Sequence, residues 1–142
     1  MKIRDLMTTE VETVTAGQTA KEAAGFMLRA DTGSIPVCDD GKVIGMITDR
    51  DIAVRGVAEG RGPETSVRDL MSDGIICARE EDDIAAIAQK MSDSQVRRLT
   101  VVDANDKLVG MVSLGDLSRD AQNGAANKVL DGVSAPGGQH KQ

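Results

Sequence analysis

The sequence predicts an α+β fold in which one small unit is written twice. Three observations carry that expectation. The string "IRDLM" at Ile3 to Met7 returns as "VRDLM" at Val67 to Met71, 64 positions later. Each half then shows an extended stretch, an amphipathic helical stretch and two short apolar runs around a turn. Finally, the register set by the repeated string persists well past it. Arg4, Asp5, Leu6 and Met7 fall on Arg68, Asp69, Leu70 and Met71, Ala24 and Met27 on Ala88 and Met91, and Val37 and Asp39 on Val101 and Asp103. One residue is inserted where "DDGK" becomes "DANDK". Beyond it, Lys42, Gly45, Met46 and Asp51 meet Lys107, Gly110, Met111 and Asp116. A period this long is not a solenoid's and fits a two-copy module.

Each element follows from local pattern. After "RDLM", the stretches "VETVT" and "IICAR" read as extended segments. In the first copy Thr19 begins "TAKE", a capping box with Glu22, and Ala20, Ala23, Ala24, Met27 and Leu28 share one helical face. In the second, Asp82 or Asp83 caps a helix whose face holds Ile84, Ile87, Ala88 and Met91. The runs "IPVC" and "VIGMI" flank "DDGK", and "LTVV" and "LVGMV" flank "DANDK", so each pair predicts a β-hairpin. A second helix closes each copy, over about 48–57 and 113–123. The order β-α-β-β-α thus occurs twice, in repeats at 1–60 and 67–123, with 61–66 ending a Gly/Pro-broken linker and 124–142 a flexible tail. "RDLM" itself reads as structural: Leu6–Met7 and Leu70–Met71 plug the core at the start of each unit, and Arg4–Asp5 and Arg68–Asp69 form local ion pairs. A single copy covers one face of a small sheet, so two copies packed sheet to sheet share a core.

Composition narrows the function. The chain has 142 residues, 40% hydrophobic and 28% charged, as a globular protein does. Phe26 is its one aromatic residue, which weighs against the stacking platforms that single-stranded nucleic acid requires. A net charge of −6 weighs against DNA or RNA as a main partner, while a local pocket still accommodates a small phosphate. Cys38 and Cys77 form no CxxC pattern and read as small buried residues, with a redox role or a mutual bridge as the alternative. His140, the one histidine, lies in the tail, leaving little for a His-based metal site or triad. "MKIRDLMTTE" does not read as a signal peptide and no apolar run nears 18 residues, so the expectation is a cytoplasmic protein with no membrane partner.

The chemistry concentrates in "GMITDRDI" (Gly45 to Ile52) and "GMVSLGDL" (Gly110 to Leu117). Each passes from an apolar strand to a hydroxyl residue, with an Asp three positions on at the start of a helix. Taken alone, that pattern is helix capping: Thr48 and Ser113 are N-caps, and Asp51 and Asp116 are acids in the first turn. The same geometry serves a nucleoside phosphate, because a helix N-terminus and a hydroxyl meet phosphate while a carboxylate accepts from a ribose diol.

The paired "RDLM" openings, the "IPV" and "LTVV" strands, and "GMITDRDI" with "GMVSLGDL" together resemble a tandem pair of cystathionine-β-synthase (CBS) domains, a Bateman module. The likeness runs from about residue 3 to 119, and "TDRDI" with "VRRLTVVD" is similar to small bacterial CBS-pair proteins, some tied to hypoxia or stress responses. The resemblance implies pseudo-twofold symmetry, repeats packed through their sheets, and two clefts that take adenine nucleotides. It assigns ribose binding to Asp51 and Asp116 and phosphate contacts to Thr48 and Ser113. The base slots would be lined by Thr13 and Val14 with Ile35 and Pro36, and by Cys77 and Ala78 with Leu99 and Thr100. Arg50, Arg97 and Arg98 lie near the phosphates; the Arg97–Arg98 pair reads equally as a solvated strand edge or an ion pair to an Asp. Copy two has Gly115 for Arg50 and Thr100 for Pro36, so the two sites need not take one ligand.

The leading expectation is a non-catalytic sensor of AMP, ADP or ATP, with NAD or S-adenosylmethionine behind them. It would act as a homodimer that signals to a separate, unidentified effector protein and needs no cofactor. The alternatives are a ligand-free scaffold and a redox- or metal-responsive stress protein using Cys38 and Cys77. No Walker loop or nucleophile elbow points to an enzyme.

Overall fold

The computed structural model describes residues 2–73 and 75–118, and the α+β class holds within it. The described residues contain five strands: β1 (Ser34–Asp39), β2 (Lys42–Thr48), β3 (Cys77–Arg79), β4 (Arg98–Val102) and β5 (Leu108–Ser113). The α-helices are α1 (Ala20–Ala30), α2 (Asp49–Asp51), α3 (Val67–Leu70), α4 (Ile84–Ser94) and α5 (Leu114–Ser118). A 3-10 turn spans Ile3–Asp5. Helix α2 runs on through a π turn at Ile52–Gly56 and a 3-10 turn at Val57–Glu59. The tail expected beyond residue 123, with His140, lies outside the described residues, as does the end of the second closing helix.

The chain forms two compact units, one from Glu12–Ile75 and the other from Met1–Val11 together with the chain from Ile76 onward. In the first unit, β1 and β2 form an antiparallel hairpin, with Asp40 and Gly41 both at positive φ (52° and 80°) between paired Asp39 and Lys42. Two such residues are what a tight turn matching the strand twist requires. The expected strand at "VETVT" contributes one parallel rung, Val14 to Val37. Val14 N–H donates to the Pro36 carbonyl (3.1 Å) and Cys38 N–H to the Val14 carbonyl (2.9 Å). A further rung at Thr13 would need an N–H on Pro36, which proline lacks. In the second unit Thr100 takes the equivalent place and supplies one. There β3 pairs in parallel with β4 over three residues, and β4 pairs antiparallel with β5.

Helix α1 starts as its sequence dictates. Thr19 Oγ1 accepts from the Glu22 amide (3.2 Å), and the Glu22 carboxylate accepts from the Thr19 amide (3.3 Å). Ala20, Ala23 and Met27 are buried, but Ala24 is exposed and Leu28 is 82% exposed. The core therefore takes the 20, 23, 27 row, and the 24, 28 row faces away from it. In α4 all four expected residues, Ile84, Ile87, Ala88 and Met91, are buried.

The repeated strings sit where the repeats alone do not suggest. Ile3, Leu6 and Met7 pack into the core built by Ala78, Ile87, Met91, Leu99 and Val112, which belongs to the later repeat. Val67, Leu70 and Met71 pack into the core of Val14, Ala23, Ile35, Val37 and Ile47, which belongs to the earlier one. The residue after each string then pairs with a strand edge. Thr8 exchanges two 2.9 Å hydrogen bonds with Met111, and Ser72 exchanges two of the same length with Met46. Glycine is required at the contact: a Cβ on Gly45 would lie 2.5 Å from the Ser72 carbonyl oxygen, and one on Gly110 would lie 2.8 Å from that of Thr8. The expected ion pair within the first string is replaced by longer-range ones, since Lys2 and Arg4 both bind Glu81 (2.6 and 2.8 Å). The Lys2 hydrogen bond, helped by the Arg4 charge, holds the Glu81 carboxyl below its ordinary value.

Candidate functional site

Each unit carries one strand-to-helix corner with the hydroxyl-x-x-Asp pattern. In the Glu12–Ile75 unit, β2 ends at Thr48 and α2 begins at once. Thr48 Oγ1 accepts from the Asp51 amide (3.1 Å), and Asp51 Oδ2 accepts from the Thr48 amide (3.0 Å). The other unit repeats this: Ser113 Oγ accepts from the Asp116 amide (3.2 Å), and Asp116 Oδ2 accepts from the Ser113 amide (2.8 Å). Both corners are thus true capping boxes, as the simpler reading of the sequence required. The boxes also fix a geometry. One carboxylate oxygen, Oδ2, is held by the backbone, so the direction of Oδ1 is set. A hydroxyl that accepts from an amide still has its own proton to donate.

Burial differs between the corners. The Asp51 side chain is 14% exposed, whereas Asp116 is 5% exposed as a residue. Arg50 is exposed, and its amide donates to Asp49 Oδ1 (2.8 Å). Asp49 in turn donates its own amide to the Gly33 carbonyl (2.9 Å), and a Cβ at Gly33 would lie 2.9 Å from the Asp49 carboxylate. In the second unit the corresponding amide, Leu114, donates to the Arg97 carbonyl (2.9 Å). Arg98 lies opposite Ser113 in the ladder, where the first unit places the buried Ser34 opposite Thr48. The structure therefore brings Arg98 beside the hydroxyl corner of its unit, while Arg97 is exposed just before β4.

The expected base-slot residues also gather within their own units. Val14, Ile35 and Pro36 are buried together around the Val14–Val37 rung, with Thr13 half-buried beside them. Ala78, Leu99 and Thr100 are buried in the other sheet, where Cys77 pairs with Thr100. Thr100 Oγ1 donates to Cys77 Sγ (3.0 Å), and Lys90 Nζ donates to the Cys77 carbonyl (3.1 Å). Neither cysteine forms a disulfide. Among the described residues, no group of three or more His, Cys, Asp and Glu side chains is placed to hold a metal ion, and no helix is long and apolar enough to cross a membrane.

Sequence reasoning missed Arg55. Its Nε lies 4.0 Å from Asp51 Oδ1, and its Nη1 donates to the carbonyls of Leu70 (3.3 Å) and Met71 (3.2 Å). The signal was present, because Asp51 and Arg55 are four residues apart on a helix.

A repeated β-α-β-β-α unit with a hydroxyl-x-x-Asp corner in each copy defines a tandem module of the CBS type. The family model for the CBS domain matches residues 3–56 and again 67–122, and the chain belongs to that family. It is 41% identical over 133 residues to the CBS domain-containing protein YhcV of Bacillus subtilis, covering 93% of this chain and 94% of that protein. Among solved structures it is similar to Hypoxic Response Protein I, crystallised with two coordinated zinc ions, at TM-score 0.77 and 35% identity, covering 84% and 98% of the two chains. It is also similar to the CBS domain pair of MJ0100 in complex with 5′-methylthioadenosine and S-adenosyl-L-methionine, at TM-score 0.74 and 28% identity, covering 84% and 98%. Family and neighbours support a regulatory ligand-binding module.

Proposed function

We propose that the chain is a non-catalytic sensor that binds an adenosyl ligand and passes its state to a partner protein. The observation that carries this reading is the duplicated corner. Asp51 and Asp116 are each oriented by a backbone amide on Oδ2 and are each adjacent to a hydroxyl that can donate. That pairing of a fixed acceptor with a donor and a helix N-terminus suits a ribose bearing a phosphate or another 5′ substituent. In this reading Asp51 and Asp116 hold ribose, and Thr48 and Ser113 meet the 5′ group. Val14, Ile35 and Pro36, and Ala78, Leu99 and Thr100, supply aliphatic walls for the base, with Thr13 and Cys77 at their rims. Arg98 favours a phosphorylated ligand at the second corner, and at the first, where Ser34 takes the place of Arg98, the nearby cation is Arg50 on α2. AMP, ADP and ATP are the leading ligands, and the MJ0100 complexes add methylthioadenosine and S-adenosylmethionine.

The exposed Leu28, Val54 and Val57 lie on helical segments of the Glu12–Ile75 unit, which suits a homodimer formed through its helices; sedimentation velocity reads it directly. We place the protein in the cytoplasm, where both thiols stay reduced. Calorimetric titration with AMP, ADP, ATP, methylthioadenosine, S-adenosylmethionine and NAD tests the sensor reading. Saturable heat for at least one adenosyl compound is expected. Folded protein that binds none of them overturns it and leaves a scaffold role.

A further inference from the structure

We infer that Arg55 is a positioning residue that couples the Asp51 corner to the segment Val67–Ser72. The last carbonyls of a helix have no partner within it, and α3 is too short to supply any elsewhere. Two guanidinium groups take them: Arg61 Nη1 donates to the Asp69 carbonyl (3.2 Å), and Arg55 Nη1 donates to those of Leu70 and Met71. Arg55 differs from Arg61 because its Nε also stands 4.0 Å from Asp51 Oδ1. Asp51 Oδ2 is already committed to the Thr48 amide, so Oδ1 is the oxygen through which the carboxylate reaches outward. The segment that Arg55 holds is the one whose last residue, Ser72, pairs with Met46, two residues before Thr48. Val67–Ser72 therefore meets the corner twice, through β2 and through Arg55.

The local helix is built around this contact. Residues Ile52–Gly56 form a π turn, a rare geometry that adds a residue to the turn and recurs at functional positions. A Cβ on Gly56, at the end of that turn, would lie 3.8 Å from the Leu70 side chain, an ordinary contact distance, so the turn lies against α3 with room for a methyl group.

The coupling follows from one cation shared between two sets of acceptors. A ribose hydroxyl that donates to Asp51 Oδ1 satisfies part of that carboxylate's demand for donors. The Arg55 guanidinium then settles on the Leu70 and Met71 carbonyls, and Val67–Ser72 docks more firmly. Linkage makes the effect mutual: a firmly docked segment raises affinity at the corner. This inference rests on the adenosyl-ligand reading for its trigger, although the Arg55 clamp exists without ligand.

Amide hydrogen exchange on the full chain tests it, using wild type, Arg55→Met and Arg61→Met. Without ligand, both variants should exchange the Ser72 amide about fivefold faster than wild type, the effect of losing roughly one net hydrogen bond. With saturating AMP or methylthioadenosine, the Ser72 amide should slow about fivefold in wild type and Arg61→Met but not in Arg55→Met, which still binds. Equal ligand protection in Arg55→Met overturns the coupling. Unchanged Ser72 exchange in ligand-free Arg55→Met overturns the clamp itself. If wild type binds neither compound, the ligand reading fails and the coupling with it, and the ligand-free arm still decides the clamp.

Discussion

Replacing Gly45 with alanine should destabilise the Glu12–Ile75 unit far more than one methyl group usually does. The added Cβ would lie 2.5 Å from the Ser72 carbonyl oxygen and 3.1 Å from the Met71 sulfur. The methionine side chain can move aside, but the carbonyl cannot without losing its place on the strand. That carbonyl is one half of the Met46–Ser72 pair, whose two hydrogen bonds are both 2.9 Å. Forcing the strands apart weakens both, at about 1 kcal/mol net each. Overpacking at the contact adds about 1–3 kcal/mol. The expected loss is therefore about 3–5 kcal/mol, a large share of the total for a chain of this size. Gly17 is the comparison, because a Cβ there meets nothing within 4 Å. Urea unfolding followed by circular dichroism should give a large drop for Gly45→Ala and a change within about 0.5 kcal/mol for Gly17→Ala. Gly45→Ala as stable as wild type would refute the idea that the "RDLM" segment fixes this glycine.

Thr19→Ala removes the side-chain half of the α1 capping box and should cost about 1 kcal/mol in the same assay, with Thr19→Ser near neutral. Glu81 gives an acid-side prediction. Its carboxyl titrates below the ordinary 4.5 because Lys2 donates to it and Arg4 adds its charge. A lowered carboxyl stabilises the fold fully above its ordinary value, and that contribution disappears as pH falls through the lowered one. Carboxyl NMR should show Glu81 below 4.5 in wild type and moving up in Lys2→Met/Arg4→Met; no movement would deny the ion pairs their role.

Much of this architecture was legible because it is local. The α1 start and both hydroxyl-x-x-Asp corners depend on residues within four positions of one another, and both hairpins pair residues no more than 15 apart across a short turn; each formed as its pattern required. The buried face of α4 was equally readable, since Ile84, Ile87, Ala88 and Met91 leave no competing apolar row. In α1 a competing row existed: Ala24 and Leu28 fit the same periodicity as Ala20, Ala23 and Met27, and packing chose between them. At Val14 the missing N–H of Pro36, plain in the sequence, removes the rung at Thr13. What no local pattern could show is where "IRDLM" and "VRDLM" dock. Repetition marks two segments as equivalent, yet which core each one enters depends on the chain path between them. The same holds for Arg55, whose carbonyl partners Leu70 and Met71 lie 15 and 16 positions away.

The most direct test of the central claim is a calorimetric titration of AMP and methylthioadenosine into wild type, Asp51→Asn, Asp116→Asn and the double variant. Asparagine keeps an oxygen that accepts from the Thr48 or Ser113 amide, so each variant should remain folded by circular dichroism. It removes the charged acceptor for a ribose diol, which should weaken binding at the altered corner about tenfold or more and abolish saturable heat in the double variant. Full binding by a folded double variant would contradict the account.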